Sequence, residues 1–523
     1  MSMPRRTWLQ QAALAALAMQ LPRSAWSQPS LQDYPFALGV ASGDPTPDGM
    51  VLWTRLQPST AGAAQASITV HWELAHDAGF RQIVQHGQAQ ARPEWGHSVH
   101  VELQGLAPDR WYYYRFHCGA ATSPTGRTRT APAPDALPAR LRLAFASCQR
   151  WEHGHYAAWR QVVTDAPDLV LFLGDYIYEY ASPKDPTGLA RVHSLRAART
   201  LADYRERYAL HKSDPLLQAA HAACPWIVTW DDHEVQNDYA GHQGRDGDTS
   251  AFTAQRLAGW QAFYENMPLR AASLAQGVQA LQIYRTLDWG RLAQFQVLDT
   301  RQYRDWQACR APGSSSAKGV QPAQCPALAD PQRSLLGRTQ ERWLAQALAR
   351  SQAQDLARDT APRWSVIAQQ TLFSPRRYPS GVRSTDSWEG YPAARERLLQ
   401  ALQAHPQRNT VFLGGDIHQN YVCNVPAPGA DPESHRWLAS EFCGTSLTSQ
   451  SGTTQAQVDA VARHNPHVLL ARCEERGYGL VDVTPQQWQT TLRAVDDPLR
   501  ADSAVRTLAR FVVADGRPGP QRD

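Results

Sequence analysis

From Leu141 onward, short apolar runs alternate with segments whose apolar residues recur every three or four positions. LRLAFAS (141–147), DLVLFLG (168–174), PWIVTW (225–230), RLAQFQV (291–297), RWSVIA (363–368) and NTVFLG (409–414) are apolar enough to read as largely buried strands. Between them lie helical patterns: GHYAAWRQVVTDA (154–166), LADYRERYALHKSDPLLQAAHAA (201–223), AFTAQRLAGWQAFYENM (251–267), GRTQERWLAQALARSQA (337–353) and AARERLLQALQAHP (393–406). This alternation predicts an α/β domain with largely buried strands over 141–515. Residues 477–495 read as a hairpin turning at Thr484-Pro485, and 516–523 as a tail. The pattern over 36–130 differs. Short alternating runs, SITVHWEL (67–74), SVHVEL (98–103) and WYYYRFHC (111–118), are separated by Gly, Pro and Asp, which predicts an all-β sandwich domain at 34–132. A Pro/Ala linker at 133–140 joins the two, and there are no internal repeats.

Composition narrows the class. A chain of 523 residues with 43% hydrophobic exceeds one ordinary domain. The net charge of +4, from 52 basic and 48 acidic residues, excludes a strongly basic nucleic-acid binder. Beyond the N-terminus no run approaches the ~18 apolar residues of a membrane span. Eighteen Trp and eighteen Tyr argue against disorder.

The first 28 residues read as an address. Arg5 and Arg6 precede a charge-free stretch from Thr7 to Pro22, and Ala25-Trp26-Ser27 is a small-x-small cleavage site. The paired arginines resemble a twin-arginine export signal, with Trp8 where Phe is usual. Export by that machinery, cleavage near Ser27 and a periplasmic or secreted mature chain are therefore expected. Loss of Arg5, Arg6 and Arg23 takes the 52 basic residues to 49 against 48 acidic, so net charge does not steer substrate. An oxidising destination permits disulfides. Of eight cysteines, Cys309 and Cys325, flanking a Gly/Ser/Pro-rich loop, form the best candidate pair.

Metal-binding residue types cluster where strands end, and ligands of open α/β sheets gather beyond the carboxyl ends of strands. Ser147-Cys148-Gln149 is the first cluster, although a lone cysteine is more often core. In GDYIYE, Asp175 ends a strand too apolar to bury a charge unpaired, and Tyr178 follows as either a ligand or a core residue. WDDHEVQND packs Asp231, Asp232, His233, Glu234, Asn237 and Asp238 together. Without a cation those carboxylates repel one another, unless the loop is simply solvated. In FLGGDIHQ, two glycines allow a sharp turn that presents Asp416 and His418, a spacing suited to neighbouring metals.

Taken in order, FALGVASGDPTPDGMVLWTRL, FASCQ, GDYIYE, WDDHEVQND, LDTRQYR, SWEGYPAAR and GGDIHQ resemble the alkaline phosphatase D family of the calcineurin-like metallophosphoesterases. The likeness spans nearly the whole mature chain and implies a metallophosphoesterase-like α+β sandwich of mixed sheets for 141–515. LQGLAPDRWYYYRFHC (103–118) separately resembles a fibronectin type III corner, which makes the N-terminal domain fibronectin-III-like. Glu389, in SWEGYPAAR, stands where the family usually has Asp.

The family resemblance implies Fe(3+) held by Cys148, Asp175, Tyr178 and His418. It also implies Ca(2+) beside it, with Asp175 bridging and Asn237 and Asp416 as oxygen ligands. Asp232 takes the bridging-asparagine position and His233 that of the phosphate-binding histidine. The division among Asp231, Asp232, Asn237 and Asp386 stays open. Asp299 and Arg301 orient the site or contact phosphate, or form only a supporting salt bridge. The implied reaction is hydrolysis of phosphomonoesters and phosphodiesters by direct attack of a metal-bound oxygen nucleophile, with His233 assisting the leaving oxygen. A phospholipase D-like or nucleotide phosphodiesterase on the same fold is the alternative, and a non-enzymatic surface-binding module a further one. Pocket width, hence monoester or diester preference, depends on loops 181–200 and 307–330.

Overall fold

The computed structural model describes residues 34–58, 61–311, 313–314, 316–358, 361–430 and 436–523, so the export leader expected at 1–28 lies outside the described residues. The N-terminal region supplies β1 (Val40–Thr46), β2 (Gly49–Arg55), β3 (Ile68–Ala75), β4 (Ile83–Ala91), β5 (Ser98–Glu102), β6 (Trp111–Cys118), β7 (Ala121–Thr122) and β8 (Gly126–Arg129). The main body begins with β9 (Leu141–Ala146), β10 (Leu169–Phe172) and β11 (Trp226–Val228). Next come β12 (Arg285–Trp289), β13 (Ala293–Val297), β14 (Trp364–Ala368) and β15 (Thr410–Gly414). It closes with β16 (Asn420–Pro426), β17 (Trp437–Cys443), β18 (Val468–Arg472), β19 (Gly477–Val483), β20 (Gln487–Val495), β21 (Val505–Ala514) and β22 (Gln521–Arg522).

These strands form three sheets. A ten-stranded sheet runs β22-β21-β20-β19-β9-β10-β11-β1-β2-β5, and a seven-stranded sheet runs β12-β13-β14-β15-β17-β16-β18. The third is the N-terminal β4-β3-β6-β7, with β8 on β6. The two large sheets pack face to face through Leu143, Phe145 and Leu171 from one and Phe295, Val366 and Leu413 from the other. Their outer faces are covered by helices. Trp159, Leu217, Trp260 and Phe263 pack with Val170 and Phe172 on one side, and Leu344, Leu348, Leu398 and Leu402 with Ile367 and Phe412 on the other. Burial on both faces is why β10 reads as an unbroken apolar run, whereas the half-buried β6 alternates.

The expected N-terminal sandwich is present, with an addition. Its core joins Val40, Leu52 and Val99 to Val70, Tyr114 and Phe116, so β1, β2 and β5 face the third sheet. Those same strands extend the ten-stranded sheet, because β1 pairs in parallel with β11, Gly43 opposite Trp226. One layer of the sandwich is therefore continuous with the main body. The helical stretch 201–223 is two helices, Leu201–Lys212 and Pro215–Ala223. Asp214 caps the second by accepting from the N–H groups of Leu216 and Leu217, and Pro215 sits in its first turn. Residues 516–523 return to the sheet, β22 pairing with Phe511 and Val512 of β21. Cys309 and Cys325 are disulfide-bonded, with Cα atoms 6.0 Å apart. No helix among the described residues is long and apolar enough to cross a membrane.

Candidate metal centre

In both large sheets the central strands run parallel, β9 with β10 and β11, and β13 with β14 and β15. The loops at their carboxyl ends carry the clusters singled out in the sequence. Cys148, Asp175, Asp416 and His418 all adopt left-handed backbone, with φ of 59°, 57°, 66° and 54°. Non-glycine residues visit this region rarely, and four of them around one centre mark a site whose surroundings over-determine its conformation. Two glycines permit the close approach of the loops. A Cβ on Gly174 would lie 2.5 Å from Asp231 Cβ, and one on Gly415 would lie 2.2 Å from Ser147 Oγ.

The loops are also bonded to each other. Cys148 N–H donates to the Gly174 carbonyl at 3.1 Å and Gln149 N–H to that of Asp175 at 3.0 Å. The Gln370 amide nitrogen lies 2.7 Å from Thr229 Oγ1, 2.8 Å from the Trp230 carbonyl and 2.9 Å from the Leu298 carbonyl. Its oxygen accepts from Thr300 N–H at 3.1 Å, so one buried side chain ties the ends of β11, β13 and β14.

Three overlapping groups of side chains have ligand atoms within 4.8 Å of one another: Cys148, Asp175 and His418; Asp175, Asp232 and His233; Asp231, Asp232 and Asp416. Tyr178 joins the first, its hydroxyl 2.8 Å from Asp175 Oδ2 and 3.0 Å from His418 Nε2. His418 Nδ1 faces the Gln450 carbonyl at 2.8 Å, an atom that can only accept. Nδ1 therefore carries the proton and Nε2 offers its lone pair to the cluster.

Burial pushes the Cys148 thiol, the Tyr178 phenol and the Asp175 carboxyl upward, and neighbouring acidic groups push each further, against the opposing pull of His233 on Asp175. Asp231 Oδ2 and Asp232 Oδ1 are buried without a hydrogen-bond partner among the described residues. A multivalent cation relieves both conditions by favouring the ionised donors and occupying the orphaned oxygens. The donors also suit the two ions that the family resemblance implies. Thiolate, phenolate, carboxylate and imidazole match a trivalent iron, and carboxylate oxygens match a hard cation such as calcium.

His233 stands beside the cluster with its Nδ1 2.7 Å from Glu179 Oε2 and its ring centroid 4.1 Å from that of Tyr178. Burial alone lowers its pKa, but Glu179, Asp175 and Asp232 overrule that and hold it well above the usual imidazole range. Arg301 has a fully buried side chain enclosed by carboxylates. Its Nε donates to Asp231 Oδ1, its Nη1 to Asp386 at 2.9 Å, and its Nη2 to Asp416 at 3.3 Å, with Asp232 at 3.7 Å. Asp386 also accepts from Arg304 at 2.8 Å and Gln307 at 2.9 Å. Asp299 stays out of this cluster. Its Oδ1 accepts from the backbone N–H groups of Arg301 and Gln302, both at 2.9 Å, and so shapes the turn that aims Arg301. Asn237 follows on the β11 loop, its N–H donating to Glu179 Oε1 at 2.9 Å. Glu389 packs elsewhere, 3.6 Å from Arg383 and 3.9 Å from Arg376.

Sequence reasoning assigned no role to several residues that hold these donors. Glu179 fixes His233 and the loop of Asn237 together. Ser449 Oγ lies 2.8 Å from both the Cys148 carbonyl and the Tyr178 hydroxyl. Glu234 accepts from the backbone N–H groups of Asp175, Tyr176 and Asp231, which fastens two of the loops. Glu179 and Glu234 lay inside quoted motifs, where an acidic residue at a buried strand end was the available signal. Ser449 and Gln370 carried none.

The sequence profile described as PhoD-like phosphatase matches residues 143–492, and that described as PhoD-like phosphatase, N-terminal domain, matches residues 22–132. The chain is 42% identical over 505 residues to alkaline phosphatase D of Bacillus subtilis (strain 168), covering 94% of this chain and 83% of that one. The solved structure titled "Structure of PhoD" superposes with a TM-score of 0.87 at 42% identity, covering 95% of this chain and 93% of that one.

Proposed function

The chain belongs to the PhoD-like phosphatase family and is a hydrolase of phosphoric esters, and from that premise we propose how its buried cluster serves the reaction. Cys148, Asp175, Tyr178 and His418 would hold Fe(3+), and Asp175, Asn237 and Asp416 would hold Ca(2+), with Asp231 and Asp232 sharing the second set. When bound, such cations lower the pKa of water and neutralise charge on the equatorial oxygens of phosphorus. The observation that carries this reading is the convergence of thiol, phenol, carboxylate and imidazole on one point, beside two carboxylate oxygens that have no hydrogen-bond partner among the described residues.

The protein's own residues do the rest. The proposed route is direct attack of water on phosphorus: Ser147 contacts Cys148 and Ser449 contacts Tyr178 and the Cys148 carbonyl, and among the described residues neither hydroxyl is paired with a histidine, lysine or carboxylate that would make it a nucleophile. Asp231, Asp386 and Asp416 are held in place by Arg301, which acts here as a positioning residue. Glu179 occupies Nδ1 of His233 and leaves Nε2 to donate to the leaving oxygen. His233→Ala is expected to slow hydrolysis of an alkyl phosphate by about 100-fold while slowing p-nitrophenyl phosphate much less. A poor leaving group needs the proton and a good one does not. Equal losses on the two substrates remove His233 from this role.

Substrates are phosphomonoesters and phosphodiesters. The test is turnover of p-nitrophenyl phosphate and bis-p-nitrophenyl phosphate at alkaline pH, with chelator and with added calcium. Turnover lost to chelator and restored by calcium supports the reading, and turnover indifferent to chelator contradicts it.

The mature chain works in the periplasm or outside the cell, after passage through the twin-arginine machinery. The support is the pattern of residues 1–28, together with the Cys309–Cys325 disulfide, which persists in oxidising compartments. A mature N-terminus found just after Ser27 supports it, and an intact leader on the active protein contradicts it.

A further inference from the structure

Beyond Cys148 the chain leaves the centre through Gln149 and Arg150. Arg150 hangs from the segment that also steadies the candidate ligands: its N–H donates to Ser449 Oγ at 3.1 Å, and its carbonyl accepts from Thr448 Oγ1 at 2.8 Å. Its guanidinium carbon lies over the rings of Tyr178 and Tyr180, at 5.7 and 5.3 Å from their centroids. The same two rings flank His233, at 4.1 and 5.3 Å. Arg150 thus belongs to the aromatic wall that carries the candidate leaving-group donor.

What distinguishes Arg150 is how its nitrogens are used. Nε donates to Glu152 Oε2 at 3.3 Å, and among the described residues neither terminal nitrogen has a protein acceptor. The side chain is 16% exposed, so those nitrogens are reachable without being loose. Two other arginines against these loops have their terminal nitrogens engaged. Arg301 serves Asp231, Asp386 and Asp416, and Arg207 serves the carbonyls of Tyr178, Tyr180 and Arg196. Glu152 is itself fixed, its Oε1 3.1 Å from both Ser182 Oγ and His193 Nε2. Both partners lie in loop 181–200, so that loop sets the direction of Arg150.

We propose that Arg150 binds the phosphoryl group of the substrate through its terminal nitrogens and gives the enzyme a preference for phosphomonoester dianions over phosphodiester monoanions. A monoester presents an additional non-bridging oxygen and a second negative charge, and a guanidinium with two free nitrogens answers both. A diester carries an alkoxy group in place of that oxygen. The proposal rests on the phosphoester hydrolysis set out above and says which ester the same site favours.

The test compares the metal-loaded wild type with Arg150→Met, which keeps the stem against Tyr178 and Tyr180, and Arg150→Lys, which keeps the charge but not the fork. kcat/KM is measured on p-nitrophenyl phosphate and bis-p-nitrophenyl phosphate, with inhibition by inorganic phosphate. Arg150→Met is expected to lose about 10- to 100-fold on the monoester and little on the diester, with phosphate inhibition weakened in proportion. Arg150→Lys is expected to fall between. Diester turnover and metal content show that the centre survives, and if Arg150→Met fails to load metal, Arg150→Lys decides. Equal losses on both esters, or unchanged monoester turnover and phosphate inhibition, overturn the proposal. A wild type inert on both esters would instead refute the reading of the centre beneath it.

Discussion

Asp175→Asn is expected to reduce turnover by on the order of 1000-fold and to empty the centre of metal. Asp175 is shared between two of the three ligand groups and accepts from Tyr178 at 2.8 Å, so its charge acts on both halves of the cluster. The substitution isolates that charge. Asparagine is nearly the same size, and its side chain tolerates the left-handed backbone that Asp175 adopts at φ 57°. Burial opposes a lone carboxylate here, so the neutral amide should leave the fold intact or firmer. The checks are kcat/KM on both nitrophenyl esters, metal analysis and thermal unfolding of the same samples. Turnover within tenfold of wild type, with metal retained, would remove Asp175 from the centre.

Arg301→Met should cost about 3–5 kcal/mol of stability, because it strands several buried carboxylates around a vanished charge. Asp231, Asp232, Asp386 and Asp416 each lose an ion-pair partner, and among the described residues only Asp386 keeps another arginine, Arg304. Methionine fills most of the volume, which separates the electrostatic loss from a packing loss. The measurement is the denaturant midpoint of each protein with and without calcium. A large drop that calcium partly restores identifies cation and arginine as joint partners of the same carboxylates. A drop under about 1 kcal/mol shows that the carboxylates do not depend on Arg301.

Much of this was legible in the chain because burial writes itself into sequence. The strands of the double sheet are buried on both faces, and their unbroken apolar runs mark β9, β10, β11, β13, β14 and β15 in the sequence itself. Placing chemistry at the ends of those strands picks out Asp175, Asp232, Asp416 and His418, and the family resemblance adds Cys148, which read on its own as a core residue; the fold brings the five together. What stayed hidden depends on partners distant along the chain. The parallel pairing of β1 with β11 rests on Gly43, where a Cβ would lie 2.6 Å from the Trp226 carbonyl, and no local pattern announces such a contact. Ser449 and Gln370 are ordinary polar residues by type. They matter only because loops far apart in sequence meet there. Arg301 read equally well as a phosphate contact or as a support, and its full enclosure by carboxylates favours the support.

The most direct measurement is an anomalous-scattering map at the iron edge, from crystals of protein whose turnover has been measured. The account predicts a peak within bonding distance of Cys148 Sγ, the Tyr178 hydroxyl oxygen, Asp175 Oδ2 and His418 Nε2. An active sample with no iron among those four atoms, or with its iron elsewhere, would contradict it.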